Sequence, residues 1–329
     1  MVGVSSSSLL SPTRISKKNS HLRVKPGGCF SLCLSESAHS QQIRCGVIKD
    51  ETSRVGRLGF AKMLRRYRLR MTMTTTIFDV EQKTAASDSR WSMDLTAIGK
   101  RGFVAYVDDT GFDKLGERPT HVISLAGDAE LIGMWKAWWA ADELMLTHPP
   151  VELGENRSIS LSIIGKQSNA VEFDCGPKLT QACSDTAKFL AVFAGSGAQF
   201  AAINWGVSRC PREAVASAME QDPYTGGEYK YVNYGKPESN LGPVVHDVDV
   251  IHQGILKEGR VMEIGKNESV PLSEFLDAES LKAAIDARQV VAHAPLSAQN
   301  NFRWTPERKE RLESVLDSIR RAESNLSKA

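Results

Sequence analysis

From residue 102 onward, apolar and polar positions alternate in short runs, the period-two signature of half-buried strands. "GFVAYVDD" (102–109) and "THVISLAG" (120–127) predict strands around an irregular connection. "SISLSIIG" (158–165) sets Ile159, Leu161 and Ile163 against serines, and "AVEFD" (170–174) is its partner across a turn near Lys166–Asn169. "EYKYVNY" (228–234) and "RVMEIG" (260–265) extend the pattern, and "VVHDVDVIHQGILK" (244–257) predicts a long strand or bent hairpin arm.

Elsewhere the period changes to that of a helix. Asp128 is placed to cap a helix over 129–146, whose Leu131, Ile132, Trp135, Trp138, Trp139, Met145 and Leu146 form one stripe. Pro149 and Pro150 end it. A helix is expected over Lys178–Phe193, and another from Pro211, which suits the first helical position. Leu272–Arg288 is amphipathic around Phe275, Leu276, Leu281 and Ile285. Thr305 caps and Pro306 opens a last helix striped by Leu312, Val315, Leu316 and Ile319. Strands and helices do not alternate regularly, so the prediction is α+β: a mixed or antiparallel sheet flanked by helices, in a single domain over 90–329.

Upstream the pattern fades. Thr, Ser and Ala from Thr72 to Ser89 read as a linker. Before it, "RVGRLGFAKMLRRYRLR" (54–70) would place Phe60, Met63, Leu64 and Tyr67 on one helical face. Charge sharpens this contrast: the net +2 is the sum of +11 over residues 1–70 and −9 over the rest. The arm, with Arg65, Arg66, Arg68 and Arg70 at its centre, suits an anionic partner: an acidic protein surface, nucleic acid or anionic lipid. It could also fold onto the acidic body of its own or a neighbouring copy, a route to a homo-oligomer. No apolar run approaches the roughly 20 residues of a membrane span.

The first 45 residues are rich in Ser and free of acid until Glu36, a composition that resembles a chloroplast transit peptide. Ile43-Arg44-Cys45-Gly46 resembles the plastid processing pattern, with the cut after Cys45. The resulting division is a transit peptide over 1–45, a basic arm and linker over 46–89, and the folded body. The basic N-terminal segment is expected to be disordered. The implied address is the chloroplast stroma, with the mitochondrion, or the cytosol if Met71 is the true start, as alternatives.

Candidate chemistry is sparse. "FLAVFAGSGAQFAAINWG" (189–206) could form a strand, a Gly195-x-Gly197 turn and a phosphate-binding helix, which would make Gly195 and Gly197 cofactor-binding residues. Phe200 stands where the dinucleotide fingerprint needs a small residue, so the preferred reading makes Gly195 a helix C-cap. Ser196 lacks the Gly-x-Ser-x-Gly frame of a nucleophile elbow and has no activating His beside it in sequence. On a strand, Asp247 and Asp249 would share a face and could hold a cation, against the simpler reading of a solvated face. Tyr229 and Tyr231 could be an interface patch, or simply good strand residues. The three tryptophans of 135–139 read as core. The expected role is therefore a non-catalytic binding or assembly protein of the plastid. The alternatives are a small-molecule enzyme using the 189–206 turn, and a coat-like or nucleic-acid-associated self-assembling protein using the arm. No cofactor is named by the sequence.

Overall fold

A computed structural model describes the backbone of Ser31–Ser35, together with residues 74–154, 157–176, 178–266, 268–294 and 304–326. The strands begin with β1 (Ser31–Ser35), β2 (Thr76–Asp79), β3 (Thr84–Ser87), β4 (Trp91–Asp94), β5 (Phe103–Val107), β6 (Leu115–Glu117) and β7 (His121–Asp128). Helix α1 (Ala129–Trp139) precedes β8 (Glu152–Leu153), β9 (Arg157–Gly165), β10 (Ala170–Cys175), β11 (Lys178–Ala182) and β12 (Phe189–Ala194). Then come α2 (Ala198–Ser208), α3 (Pro211–Gln221), β13 (Lys230–Asn233), β14 (Glu238–Ser239), α4 (Asp249–Glu258), β15 (Arg260–Glu263) and β16 (Ser269–Pro271). The last elements are α5 (Leu272–Phe275), α6 (Ala278–Asp286), β17 (His293–Ala294) and α7 (Pro306–Leu326).

Two antiparallel sheets result. The first runs β1-β11-β12-β2-β3-β13-β14 and the second β10-β9-β7-β17-β4-β5-β15-β16, with β6 pairing β7 and β8 pairing β9. Strand alternation sorts their side chains into layers. Ile77 and Ala86 face α2 and α3, packing with Phe193, Trp205 and Val215. Their neighbours Phe78 and Ala85 point the other way and meet Val122 and Ile164 of the second sheet. Ile123 and Ile163 then face the outer core built with α1, α4, α6 and α7. The architecture is a four-layer stack, helices outside and two sheets within, and the α+β class is as expected. No helix among the described residues is long and apolar enough to cross a membrane.

Several boundaries differ from expectation, each for a physical reason. The stretch read as a linker supplies β2 and β3 from residue 74 on, all buried, so the folded body begins before residue 90. Its Thr, Ala and Ser are small because helices and a second sheet press on both faces. The helix expected over Lys178–Phe193 is instead the hairpin β11–β12, held by pairing between its strands and to β2. The strand expected over 244–257 is largely helix α4, because Ile251 and Ile255, at i and i+4, both bury against the core. Helix α1 stops at Trp139, before Met145 and Leu146, which are exposed. The 272–288 segment breaks at Leu276, and Asp277 caps a second helix by accepting from Ser280 N at 2.9 Å. Pro211 and Pro306 open helices as predicted. Apart from β1, which pairs antiparallel with β11, the segment read as a transit peptide and the basic arm, including Arg65, Arg66, Arg68 and Arg70, lie outside the described residues.

Candidate active site

Where the chain crosses from β3 in the first sheet to β4 in the second, it passes Asp88. Around that carboxylate, residues from separate segments gather. Thr74 and Thr75 lead into β2, Lys114 leads into β6, Ser196 and Gly197 join β12 to α2, and Asp222–Thr225 follow α3. Thr74, Thr75, Asp88, Lys114 and Thr225 are each 0 % exposed, with Ser196 at 2 % and Asp222 at 6 %.

Three atoms form the centre. Lys114 Nζ donates to Thr74 Oγ1 at 2.7 Å and to Asp88 Oδ1 at 2.8 Å. Thr74 Oγ1 donates in turn to Asp88 Oδ1 at 2.7 Å. The carboxylate also accepts from the backbone N–H of Thr75 at 3.0 Å, and from those of Arg90 and Gly226 at 3.2 Å each. That density of donors satisfies the oxygens of the Asp88 carboxyl without solvent. Burial pushes the Lys114 ammonium below its ordinary pKa, while Asp88 acts in the opposite direction. Lys114 is thus a proton carrier in direct contact with a hydroxyl.

A second network holds the backbone nitrogen of Thr74. Its backbone N donates to Ser196 Oγ at 3.1 Å. Ser196 Oγ donates to Asp222 Oδ2, which also accepts from Thr225 Oγ1 at 2.7 Å. Thr225 and Thr75 share a hydroxyl contact of 2.8 Å. Burial raises the pKa of Asp222, and its hydrogen bonds from Ser196, Thr225 and the Tyr224 N–H pull it back. Arg90 fastens this loop to the strands by donating to Asp108 at 2.8 and 2.9 Å and to the Pro223 carbonyl at 2.7 Å.

The glycines singled out in the sequence belong to this geometry. Gly195 has φ of +92°, and a Cβ there would stand 1.7 Å from the Thr74 carbonyl oxygen. A Cβ on Gly197 would stand 2.0 Å from Thr75 Oγ1. They allow the β12–α2 turn to press against Thr74–Thr75 and aim Ser196 at the Thr74 nitrogen. Gly195 follows a strand, so it is not a helix C-cap. Asp247 and Asp249 are not on one face of a strand: Asp247 Oδ1 accepts from Asp249 N at 3.0 Å at the start of α4, and Asp249 lies 3.5 Å from His252 Nδ1. Among the described residues no three His, Cys, Asp or Glu side chains converge as a metal site. Tyr229 and Tyr231 stack at 5.4 Å between centroids, and both are half-buried against the α2–α3 core. Trp135 and Trp139 are fully packed core.

Sequence reasoning missed Thr74, Asp88, Lys114, Asp222 and Thr225, and set Ser196 aside. No local signal marks them, because no two of the three segments that carry Thr74, Lys114 and Ser196 are neighbours in sequence. Compared with protein-family models and with curated protein sequences, the chain matches none.

Proposed function

We propose that this chain is an amide-bond hydrolase whose nucleophile is Thr74 Oγ1. The base is the α-amine that Thr74 gains when the Met73–Thr74 bond is cut. One observation carries the reading: a single residue presents its hydroxyl to the fully buried Lys114 and its backbone nitrogen to the Ser196–Asp222 network. A threonine hydroxyl is a weak nucleophile until a base stands beside it, and an N-terminal amine is one of the arrangements that supplies it. Its ordinary pKa of about 7.7–8.0 leaves about a tenth of it neutral at pH 7 and about half at pH 8. Ser196 would hold that amine in place, and the positive charge shared by Lys114 would stabilise the developing alkoxide.

The same hydroxyl can open its own site. Thr74 Oγ1 attacks the Met73 carbonyl carbon, and the C–N bond breaks as the Thr74 nitrogen takes up the proton. An ester joins Met73 to Thr74 Oγ1. Water hydrolyses it, leaving the Met73 carboxylate, a free hydroxyl and a free amine. Turnover on a substrate amide repeats the sequence with the amine as base: an acyl-Thr74 ester forms, the substrate's amine departs, and water releases the acid.

This departs from the non-catalytic role expected from sequence and is closer to the alternative that uses the 189–206 turn, since Ser196 lies in it. The plastid address is retained as a proposal on the Ser-rich, acid-poor composition of residues 1–45. The basic arm would act on its anionic partner only before the cut, because the cut removes Arg65, Arg66, Arg68 and Arg70. The test is the mass and N-terminal sequence of the purified full chain. A mature N-terminus at Thr74, lost in Thr74→Ala while that variant still melts cooperatively, is the expected result. A Thr74→Ala chain cut at the same bond would remove the self-processing step, and a wild-type chain left uncut would remove the amine.

A further inference from the structure

The second sheet contains an oddity of topology. Its two halves, β10-β9-β7 and β4-β5-β15-β16, do not pair with each other. They are bridged by β17, a strand of two residues from near the end of the chain. His293 pairs antiparallel with Ser92 of β4 on one side and with Asp128 of β7 on the other, and Ala294 pairs with Gly127. The segment also serves a third element: the Ala292 carbonyl accepts from Ala129 N at 3.1 Å, one of the donors left open at the start of α1.

Both walls of this slot lead to the candidate active site. On the β7 side, Leu125 N donates to the Lys114 carbonyl at 2.8 Å, two residues before Gly127. On the β4 side, Ser92 lies four residues beyond Asp88. An extended backbone placed between β4 and β7 would satisfy two strand edges and a helix N-terminus at once, which is how a sheet captures a peptide. The slot is shaped for that and is already filled from within.

We propose that Ala292–Ala294 is an autoinhibitory strand, occupying in cis a slot between β4 and β7 that takes an extended peptide. The substrate role of the slot rests on the reading of Thr74 as nucleophile, but its occupancy does not. Displacement is local. The bridge pairs one residue with β4 and two with β7, whereas Val290, buried in the outer core, anchors the approach to it.

The test reads binding, so an inert Thr74 cannot imitate failure. The probe is a fluorescent octapeptide with the sequence of Gln289–Leu296, titrated by anisotropy into the full chain and into His293→Pro. Proline has no N–H and is not accommodated in a central strand, so it should release the bridge. Apparent affinity is reduced by the fraction of molecules whose slot is open. A strand seated in about 99 % of molecules therefore conceals about a hundredfold, and the variant should bind at least about tenfold more tightly. Equal affinity in a variant that still melts cooperatively would make β17 a structural closure and overturn the proposal. Should His293→Pro fail to fold, hydrogen exchange on the native chain decides. The Ala129 amide should exchange at least about tenfold faster than that of Leu125, through local opening, and excess octapeptide should slow it. Equal rates would overturn the proposal.

Discussion

Lys114 and Lys178, two of the buried lysines among the described residues, differ in what they touch. Lys114 and Lys178 are both buried, and burial lowers the pKa of each while a neighbouring aspartate opposes the shift. Each makes a 2.8 Å ion pair. Lys178 pairs with Asp174, whose side chain is 42 % exposed, on the wall of an open cavity of about 540 Å³. Lys114 pairs with an Asp88 that is itself fully buried, and donates its second hydrogen bond to the Thr74 hydroxyl. Desolvation alone therefore marks neither as catalytic. The difference is the hydroxyl held between ammonium and carboxylate, and behind it the network that grips the nitrogen of the same threonine.

The largest effect should come from breaking the first of these pairs. Lys114→Met keeps the volume of the stem but removes both hydrogen bonds, leaving Asp88 buried with backbone and hydroxyl donors only. Loss of a buried partner costs about 3–5 kcal/mol. Chemical denaturation should place the variant near the low end, because five donors serve this carboxylate and four survive. Hydrolysis of peptide amides should fall about a thousandfold. Adding Asp88→Asn should recover part of the stability and none of the rate. Recovery of both would mean that the pair supports the fold and not the chemistry.

A smaller effect should follow from loosening the second network. Asp222→Asn keeps an acceptor and gains a donor, so Ser196 and Thr225 can still be bonded in a rearranged pattern. The Thr74 nitrogen would then be held less exactly where its base must stand, and misplacement by about 1 Å costs on the order of a hundredfold. The rate should drop about 10–100-fold, with a change in melting temperature much smaller than that of Lys114→Met. An Asp222→Asn chain that hydrolyses at the wild-type rate would separate this network from catalysis.

How far the sequence could be read follows from the same contrast. The outer helix α7 was legible because burial there is one-sided, with Leu312, Leu316 and Ile319 at helical spacing; β9 was legible because Ile159, Leu161 and Ile163 alternate with small serines. The middle of the stack was not. β2 and β3 are pressed from both sides, so Thr76, Ala85, Ala86 and Ser87 are buried where an amphipathic pattern would show polar residues facing water. That composition is indistinguishable from a linker until the partners are known. Helix α2 shows the same effect, with Ala198, Ala201 and Ala202 against the sheet in place of larger apolar side chains. The candidate site was hidden for a different reason. Asp88 and Lys114 look like surface charges in any local window, and only the crossing from one sheet to the other brings them to Thr74. Ser196 was visible, but as a would-be nucleophile lacking a histidine, when its place is to hold a nitrogen.

The smallest effect should come from the second lysine, and it is the control that gives the first its meaning. Lys178→Met removes a charge whose partner, Asp174, can turn to water, so no carboxylate is stranded. The cost of stranding a buried charge therefore does not arise, and the unfolding free energy near neutral pH should change by no more than about 1 kcal/mol. The sign of the pH dependence follows from the lowered pKa. Between that value and the ordinary 10.5 the unfolded chain binds the proton that native Lys178 has lost, so native stability rises with pH across this window. The methionine variant lacks that share. The stability of wild type relative to Lys178→Met should therefore improve as pH is raised toward 10.5, while tyrosines and cysteines common to both chains cancel in the difference. Peptide hydrolysis should stay within about twofold of wild type, since Lys178 touches neither Thr74 nor Asp88. A loss of rate comparable to that of Lys114→Met would show that burying a lysine anywhere in these sheets disturbs the site, and the assignment of Lys114 to the chemistry would lose its support.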